Sequence, residues 1–220
     1  MDTQHGKRCA QLSRASLLMA VASYTCCHVD LGTGDGRFVR HTARAHPERF
    51  VIGVDACREQ LWEASRRALP NELYVIANVE TLPDELVGIA SHVTINFPWG
   101  TLLDGLLSAG SPVLERVIAL LRPGASLEVR LNAGALAEGG YALEAGAATV
   151  RRALGETGFM IGAPVALDAL ALRACHSTWA RRLAFGRDPR AVTLDGRWPL
   201  RPTGNALTEG PGDRTARPSR

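Results

Sequence analysis

Apolar and polar positions along the chain follow two periods, and each period predicts one kind of element. Short apolar runs predict buried strands, whereas apolar residues three or four positions apart predict helices. The predicted strands are residues 26–31, 50–54, 73–77, 91–96, 126–132 and 159–167, with a last one around Val192 and Leu194. The predicted helices are residues 12–24, 37–46, 56–68, 113–121 and 147–155, with one or two helical turns at 168–174. Residues 1–10 and 133–146 show neither period, so we predict loops there.

Strands that alternate with helices predict an α/β fold with a doubly wound, mostly parallel, seven-stranded sheet. We expect residues 1–202 to form a single domain and residues 203–220, rich in Gly, Pro and charge, to form a disordered tail. In such a sheet, ligands bind at the carboxyl ends of the strands. Four clusters of unusual residues fall at predicted strand ends, namely 32–36, Asp55, 78–80 and 96–100. The coincidence predicts one binding site at this edge of the sheet.

Composition excludes some classes of protein. The chain has 220 residues, of which 46% are hydrophobic, so it can bury a substantial core. No apolar run reaches the roughly 18 residues that a membrane-spanning helix needs, and we expect no membrane partner. The five cysteines lack zinc-ligand spacing, which predicts free thiols in a reducing cytoplasm and no metal site. The net charge of +3 is too small to indicate a nucleic-acid partner by itself.

The first cluster reads Val29-Asp30-Leu31-Gly32-Thr33-Gly34-Asp35-Gly36, directly after a predicted strand and before a predicted helix. Alternating glycines there let a ligand approach the backbone closely. A dinucleotide fingerprint needs glycine at position 37, which is arginine. The Asp-x-Gly-x-Gly-x-Gly form resembles motif I of class I S-adenosylmethionine (SAM) methyltransferases, in which the acid and the loop hold the amino-acid end of SAM. Dinucleotide binding and a purely structural turn remain the alternatives.

The clusters at the next strand ends suit the rest of such a cofactor. Asp55 can accept hydrogen bonds from both ribose hydroxyls, or it can cap the helix predicted to begin at Ala56. The stretch Asn78-Val79-Glu80 can border the adenine of SAM, or it can be a plain loop. Together the predicted cofactor residues are Asp30, Gly32, Thr33, Gly34, Asp35, Asp55, Ala56, Asn78, Val79, Glu80 and Asn96.

Two aromatic stretches suggest the second substrate. Asn96-Phe97-Pro98-Trp99-Gly100 resembles the (Asn/Asp)-Pro-Pro-(aromatic) loop of amino-methyltransferases, whose ring stacks on the base; a buried structural tryptophan is the alternative. Residues 177–190 place Trp179 among the arginines Arg181, Arg182, Arg187 and Arg190. An aromatic surface among guanidinium groups suits a splayed-out RNA base and its phosphates. A solvated basic loop would show the same pattern.

Taken together, the segments 30–37, 98–103 and 177–183 resemble the 16S rRNA adenine-N1 methyltransferases of the kanamycin–apramycin resistance type. The resemblance covers roughly residues 10–195, and its Pro-Trp-Gly and Ser/Thr-x-Trp-x-x-Arg pieces are more specific than the glycine loop. It implies that Asp30, Gly32, Asp55 and Glu80 hold SAM. It also implies that Trp99 and Trp179 sandwich a flipped adenine beside Pro98 and Ser177, while Arg182 and Arg187 grip rRNA phosphate.

Three features depart from the family's pattern. The linker at residues 66–71 is short and carries only Arg66 and Arg67 for RNA binding, where family members often carry a longer, lysine-rich segment. Pro189 occupies a position where an arginine is expected, and Val79 one where a smaller residue is usual. These departures predict weakened rRNA docking and lower activity.

The function that the resemblance implies is SAM-dependent methylation of adenine N1 in the decoding site, helix 44 of 16S rRNA, within the assembled 30S subunit. The reaction would release S-adenosylhomocysteine (SAH), and the modified rRNA would confer aminoglycoside resistance. Adenine N1 has a free lone pair at neutral pH, so no general base is required. We expect a cytoplasmic monomer. The alternatives are a tRNA guanine-N7 methyltransferase and a SAM-binding small-subunit factor without turnover; an NAD-dependent oxidoreductase fits least.

Overall fold

The computed structural model describes residues 1–186 and 188–200. The strands are β1 (Asp2–His5), β2 (Arg8–Gln11), β3 (Cys26–Leu31), β4 (Arg49–Asp55), β5 (Glu72–Ile76), β6 (Ala90–Asn96), β7 (Leu121–Asn132), β8 (Met160–Ile161), β9 (Val165–Ala166) and β10 (Ala191–Arg197). The helices are α1 (Arg14–Val21), α2 (Arg37–Ala45), α3 (Arg58–Arg66), α4 (Gly100–Leu107), α5 (Pro112–Leu120), α6 (Ala133–Glu138), α7 (Leu143–Glu156), α8 (Ala169–Ala174) and α9 (Thr178–Ala184). None of the described helices is both long and apolar enough to cross a bilayer.

The strands form one mixed sheet in the order β2-β1-β5-β4-β3-β6-β7-β10-β8, with β9 also paired to β10. The five strands from β5 to β7 are parallel, and β10 is antiparallel to both β7 and β8. These seven central strands confirm the predicted doubly wound α/β sheet. The order of the parallel strands reverses beside β3, so the carboxyl ends of β3 and β6 border the crevice where such folds bind ligands.

Two helical layers cover the sheet. The main core lies on one face, where Val29, Leu31 and Val93 pack with α4, α5 and α7. On the other face, Val39 and Leu61 pack α2 and α3 over β4 and β5. A third, smaller cluster holds α8 and α9 against the loop that follows β6. The site therefore lies where three packed groups of elements meet.

The prediction for residues 1–10 is wrong, because these residues form the hairpin β1–β2 along the edge of β5. Thr3 and Gln4 are buried polar residues in β1, and both satisfy their side chains on backbone carbonyls, Thr3 through its bond to Ala10 O at 3.0 Å and Gln4 through a bond to Gly6 O. A strand with a polar buried face gives no apolar signal in the sequence.

The predicted loop at 133–146 is also wrong, since it contains α6 and the first turn of α7. Position 146 lies inside α7, and glycine occupies it because a Cβ there would lie 2.5 Å from Leu136 Cδ2. The glycine therefore marks close packing between two helices, not a chain break. The predicted strand at 159–167 divides into β8 and β9, each two residues long.

Gly36 provides a stability test of the fold. It begins α2 with φ +69°, and an added Cβ would lie 2.7 Å from both Ala64 Cβ and Tyr74 Cε1. We expect Gly36→Ala to lower the free energy of unfolding by about 2–4 kcal/mol, combining left-handed strain with overpacking. Gly34→Ala is the matched control, with φ +56° and no atom within 4 Å of its added Cβ. In urea unfolding it should lose only about 1–2 kcal/mol. Equal losses in the two variants would contradict the packing argument.

Candidate functional site

A cavity of about 550 Å³ opens at the carboxyl ends of β3, β4, β5 and β6. It is lined by most of the sequence-predicted site residues, which are Asp30, Gly32, Thr33, Gly34, Asp35, Asp55, Ala56, Asn78, Val79, Asn96, Pro98, Trp99, Ser177, Trp179 and Arg182. Further lining residues that sequence reasoning missed are Phe38, Gln60, Phe97, Thr101, Leu102 and Thr178. The structure thus brings residues from four strand ends and from α9 to one place.

The glycine loop is held against the neighbouring strand by its backbone. Gly32 has φ +69°, and its N–H donates to Val54 O at 2.9 Å. A Cβ at this position would lie 2.9 Å from Leu102 Cδ2, and the left-handed backbone itself favours glycine. The loop therefore presents bare backbone to the cavity.

Asp55 joins the loop to the start of α3. One carboxylate oxygen accepts from the Gly34 N–H at 2.7 Å, and the other accepts from the Cys57 N–H at 2.8 Å. The residue at the N-cap of α3 is Cys57, not Asp55, although Asp55 satisfies its backbone donor. Each carboxylate oxygen has further acceptor capacity, so structural and ligand-binding roles are compatible here.

Asp30 is a buried carboxylate at the end of β3, with 1% of its surface exposed. Burial raises its pKa to about 6, an effect opposed by hydrogen bonds from Thr94 and Asn96 and by the charge of Arg130. Thr94 Oγ1 donates to Asp30 Oδ1 at 2.6 Å, and Asn96 Nδ2 donates to the same oxygen at 2.9 Å. The side chain is therefore fixed in place, and its carboxyl group has a pKa of about 6 because it is buried.

Asn96 links Asp30 to the ion pair formed by Arg130 and Glu128. Its Oδ1 accepts from Arg130 Nη1 at 2.5 Å, and Arg130 also contacts Glu128. Sequence reasoning missed Thr94 and Arg130, which reach the site through strand register: Asp30 pairs with Thr94 and Asn96 with Arg130. The available signal was the run of polar residues at alternate positions 92, 94, 96 and 126, 128, 130.

The loop after β6 is strained. Within the described part of the chain, Phe97 is the only non-glycine residue with positive φ, at 54°, and its ring is buried. A non-glycine residue held this way costs about 1–3 kcal/mol and persists only where its surroundings fix it, commonly at functional sites. Here its N–H donates to Arg130 O at 2.8 Å. The turn directs Pro98 and Trp99 to the cavity.

Two indoles that are far apart in the chain meet at the cavity. The ring centroids of Trp99 and Trp179 lie 5.2 Å apart, with 30° between the planes. Arg182 covers the Trp179 ring, with its guanidinium carbon 5.0 Å from the centroid. Trp99 packs against the main core, whereas Trp179 is 38% exposed. The exposed ring is thus the more easily moved of the two.

Helix α9 carries Trp179, where sequence reasoning left a basic loop as the alternative. Ser177 is its N-cap, and its hydroxyl accepts from the Ala180 N–H at 3.0 Å. Thr178 Oγ1 donates to Asp35 Oδ2 at 2.6 Å. This bond connects α9 directly to the glycine loop.

We expect Thr178→Val, which removes that hydroxyl and keeps the shape, to loosen α9. Hydrogen exchange of the α9 amides should accelerate about tenfold or more, because a hydrogen bond to a charged acceptor contributes about 1.5–3 kcal/mol. The control is Thr149→Val on α7, where the hydroxyl bonds only to Ala145 O in its own helix. Unchanged exchange in α9 would show that the contact does not hold the helix.

The remaining predicted residues that the structure describes do not line the cavity. Glu80 is exposed and does not line the cavity; its N–H donates to Asn78 Oδ1 at 2.9 Å. Arg66 and Arg67 are exposed where α3 ends, and Arg66 pairs with Glu63 at 3.2 Å. Arg190 pairs with Asp188 at 2.8 Å, and its hydrogen bonds lower the Asp188 pKa to about 2. Arg181 is exposed on α9. Arg187 and the predicted tail lie outside the described residues.

Comparison with known proteins identifies relatives along most of the chain. A 16S rRNA (adenine(1408)-N(1))-methyltransferase from Escherichia coli is 32% identical over 200 residues, covering 83% of this chain and 91% of that protein. A crystal structure of the antibiotic-resistance methyltransferase Kmr is 34% identical, with a TM-score of 0.76, and covers 90% of this chain and 99% of the other. A 16S rRNA (adenine(1408)-N(1))-methyltransferase from Catenulisporales acidiphilia, solved with cosubstrate SAM, is 28% identical with a TM-score of 0.81, covering 93% and 99%.

The alternative guanine-N7 family matches far less of the chain. A tRNA (guanine-N(7)-)-methyltransferase from Leuconostoc mesenteroides is 35% identical over 83 residues, which is 33% of this chain. By contrast, the model of the NpmA family, 16S rRNA (adenine(1408)-N(1))-methyltransferase, matches residues 2–197. This confirms the resemblance seen in the sequence: the chain belongs to the NpmA family of 16S rRNA methyltransferases.

Proposed function

We propose that the protein transfers the methyl group of SAM to N1 of the decoding-site adenine in helix 44 of 16S rRNA, within the assembled 30S subunit. The observation that carries this proposal is the meeting of Trp99 and Trp179 at the mouth of the cavity. Paired indoles in front of a cofactor cavity suit one extruded base. Membership of the NpmA family supports the same target.

The residues of the cavity fit SAM, which supplies an electrophilic methyl group on a sulfonium. Its volume of about 550 Å³ is in the usual range for a cofactor site. The bare backbone at Gly32 and Gly34 admits the amino-acid end, and the Asp30 carboxylate would attract its ammonium group. Asp55 would accept hydrogen bonds from the ribose hydroxyls of SAM. Asn78 and Val79 would border the adenine of SAM.

The adenine must leave its helix, because N1 lies on the pairing edge. A base between the two indoles needs about 3.5 Å on each side, so the rings must be about 7 Å apart. At 5.2 Å they are too close to admit it. Trp179 is the exposed ring on a short helix, so we expect α9 to move outward by about 2 Å when the base enters.

The chemistry requires alignment more than proton transfer. The N1 lone pair forms the new bond to the methyl carbon while the carbon–sulfur bond breaks and its electron pair stays on sulfur, giving SAH. Holding the two reactants in line lowers the barrier. The methylated adenine is a cation, and indole faces attract cations. Neither Asp30, fixed by Thr94 and Asn96, nor Asp55, engaged by two backbone donors, needs to act as a base.

The modified adenine carries a methyl group and a positive charge in the aminoglycoside site. Cells that produce the protein should therefore tolerate kanamycin and apramycin better than cells that do not. A solved relative is itself described as an antibiotic-resistance methyltransferase.

The test is to incubate the protein with 30S subunits and labelled SAM, and to map the product by primer extension. We expect one stop at the decoding-site adenine, with label in 16S rRNA and none in tRNA. SAM binding without a stop would favour a non-catalytic small-subunit factor. Label in tRNA would favour the guanine-N7 alternative. Repeating the assay with naked 16S rRNA tests the requirement for the assembled subunit.

A further inference from the structure

A second cavity, of about 210 Å³, lies next to the first on the other side of α9. Its cationic lining comes from Arg37, Arg173 and Arg181, with His176 beside them and Phe185 at its edge. Ser177 lines both cavities. The two cavities are therefore adjacent, so an RNA strand with one base in the first can reach the second with a neighbouring nucleotide.

The fold builds this cavity from three separate elements. Arg37 begins α2, and His41 lies one turn further on the same side of that helix. The His41 ring stacks on the His176 ring, with centroids 3.4 Å apart and planes at 25°. This stack holds the segment between α8 and α9 against α2. Arg173 from α8 and Arg181 from α9 then face the same space as Arg37.

The charges in this cavity are not balanced. Among the described residues, no carboxylate lines it, and neither Arg173 nor Arg181 forms a salt bridge. Arg37 comes only within 4.0 Å of Asp35, whose same oxygen already accepts from Thr178. Guanidinium groups converging without a counter-charge repel one another, and a phosphate can take bidentate bonds from them.

Phe185 adds an aromatic surface. It is 74% exposed, and the Arg173 guanidinium carbon lies 5.7 Å from its ring centroid. An exposed phenyl ring beside arginines is the combination that binds single-stranded nucleic acid, by stacking a base next to a held phosphate.

We propose that this second cavity binds the backbone phosphate of the nucleotide next to the flipped adenine, and that Phe185 stacks on the base of that nucleotide. This inference rests on the proposed function. It assigns Arg37, Arg173 and Arg181 to the strand that flanks the target, whereas Trp99, Trp179 and Arg182 serve the target itself.

The test measures binding of unmethylated 30S subunits, in the presence of SAH, over a range of salt concentrations. For the double variant R173A/R181A we expect the slope of log affinity against log salt to become shallower by about 0.7, since the cavity binds one phosphate and each phosphate contact in single-stranded RNA contributes about 0.7. F185A should weaken 30S binding by about 5- to 150-fold. Affinity for SAM should be the same in both variants as in the wild-type protein.

Two further variants separate charge from structure. The conservative R173K/R181K should keep the wild-type slope, because lysine retains both charges. The matched control R151A/R152A removes two exposed arginines from α7, on the opposite face of the sheet. The phosphate site would be overturned if R173A/R181A had the same salt slope as the control. It would also be overturned if R173K/R181K had a slope as shallow as that of R173A/R181A. Methylation by the wild-type protein is measured separately. No methylation would overturn the proposed function, whereas an unchanged salt slope would overturn only the phosphate site.

Discussion

Replacing Trp179 with alanine should lower kcat/KM for 30S methylation by about 1,000-fold, with little change in SAM affinity. Loss of a stacked base costs about 1–3 kcal/mol, and misplacement of N1 by about 1 Å costs a further factor of about 100. Trp179 is 38% exposed and contributes no backbone contact to the glycine loop, so SAM binding should survive. Trp99→Ala should have a similar effect on transfer, but it also removes packing from the main core.

The measurement is a single-turnover methylation rate beside calorimetric titration with SAM. Trp179→Phe should recover part of the rate, because it restores an aromatic face. Trp198→Ala is the matched control, since that indole packs on Phe159, with ring centroids 5.1 Å apart, and does not line the cavity. A fall in SAM affinity as large as the fall in rate would mean that the Trp179 ring does not contact the base.

Asp30→Asn should make the fold more stable at pH 7. The pKa of Asp30 is raised to about 6 by burial, against 3.8 in the unfolded chain, so the native state binds this proton more tightly. The stability that the group contributes is complete below about pH 4 and is lost as the pH rises through about 6. Asparagine does not ionise and so avoids this loss. We expect the free energy of unfolding at pH 7 to rise by at most about 3 kcal/mol, because the shift of about two pKa units corresponds to 1.36 kcal/mol per unit.

The same substitution should weaken SAM binding by about 100-fold or more, because it leaves the ammonium of SAM without its buried partner. If Asp30 binds the ammonium of SAM as proposed, binding to the wild-type protein requires the ionised carboxylate. Affinity should therefore fall about tenfold between pH 7 and pH 5, while the Asn variant shows a flat profile. Thermal unfolding and SAM titration at several pH values measure both effects. A variant that is less stable at pH 7, or a wild-type affinity independent of pH, would contradict this role for Asp30.

Local sequence predicted the elements that carry their own signal. β3 has the predicted bounds, since its apolar run ends in glycines. α5 begins where Ser111 accepts from the Leu114 N–H at 3.2 Å and Pro112 occupies the first turn. The prediction failed where burial depends on polar or small residues, as in β1 and at Gly146 in α7. α4 was not predicted because it begins without a side-chain cap, and α9 was not predicted because its stretch was interpreted for its tryptophan and arginines alone.

The candidate site was predictable to a similar extent. The glycine loop and Asp55 are recognisable from their spacing, and Trp99 and Trp179 from the family resemblance. Thr94 and Arg130 depend on which strands are neighbours, and Thr178 on where α9 lies relative to α2. Such contacts join residues far apart in the chain, so no local pattern reveals them. The roles assigned to Asp30, Asp55, Trp99 and Trp179 remain predictions for the experiments above.

The hydrogen bond between Thr178 and Asp35 has a thermodynamic consequence. It joins the loop that would hold the methyl donor to the helix that would hold the base, so a ligand that shifts one also shifts the other. Coupling of this kind is reciprocal: the factor by which SAH changes affinity for the ribosome equals the factor by which the ribosome changes affinity for SAH. Inhibition by the accumulating product should therefore depend on how much 30S subunit is present, and analogues of SAH should be ranked against the enzyme–ribosome complex.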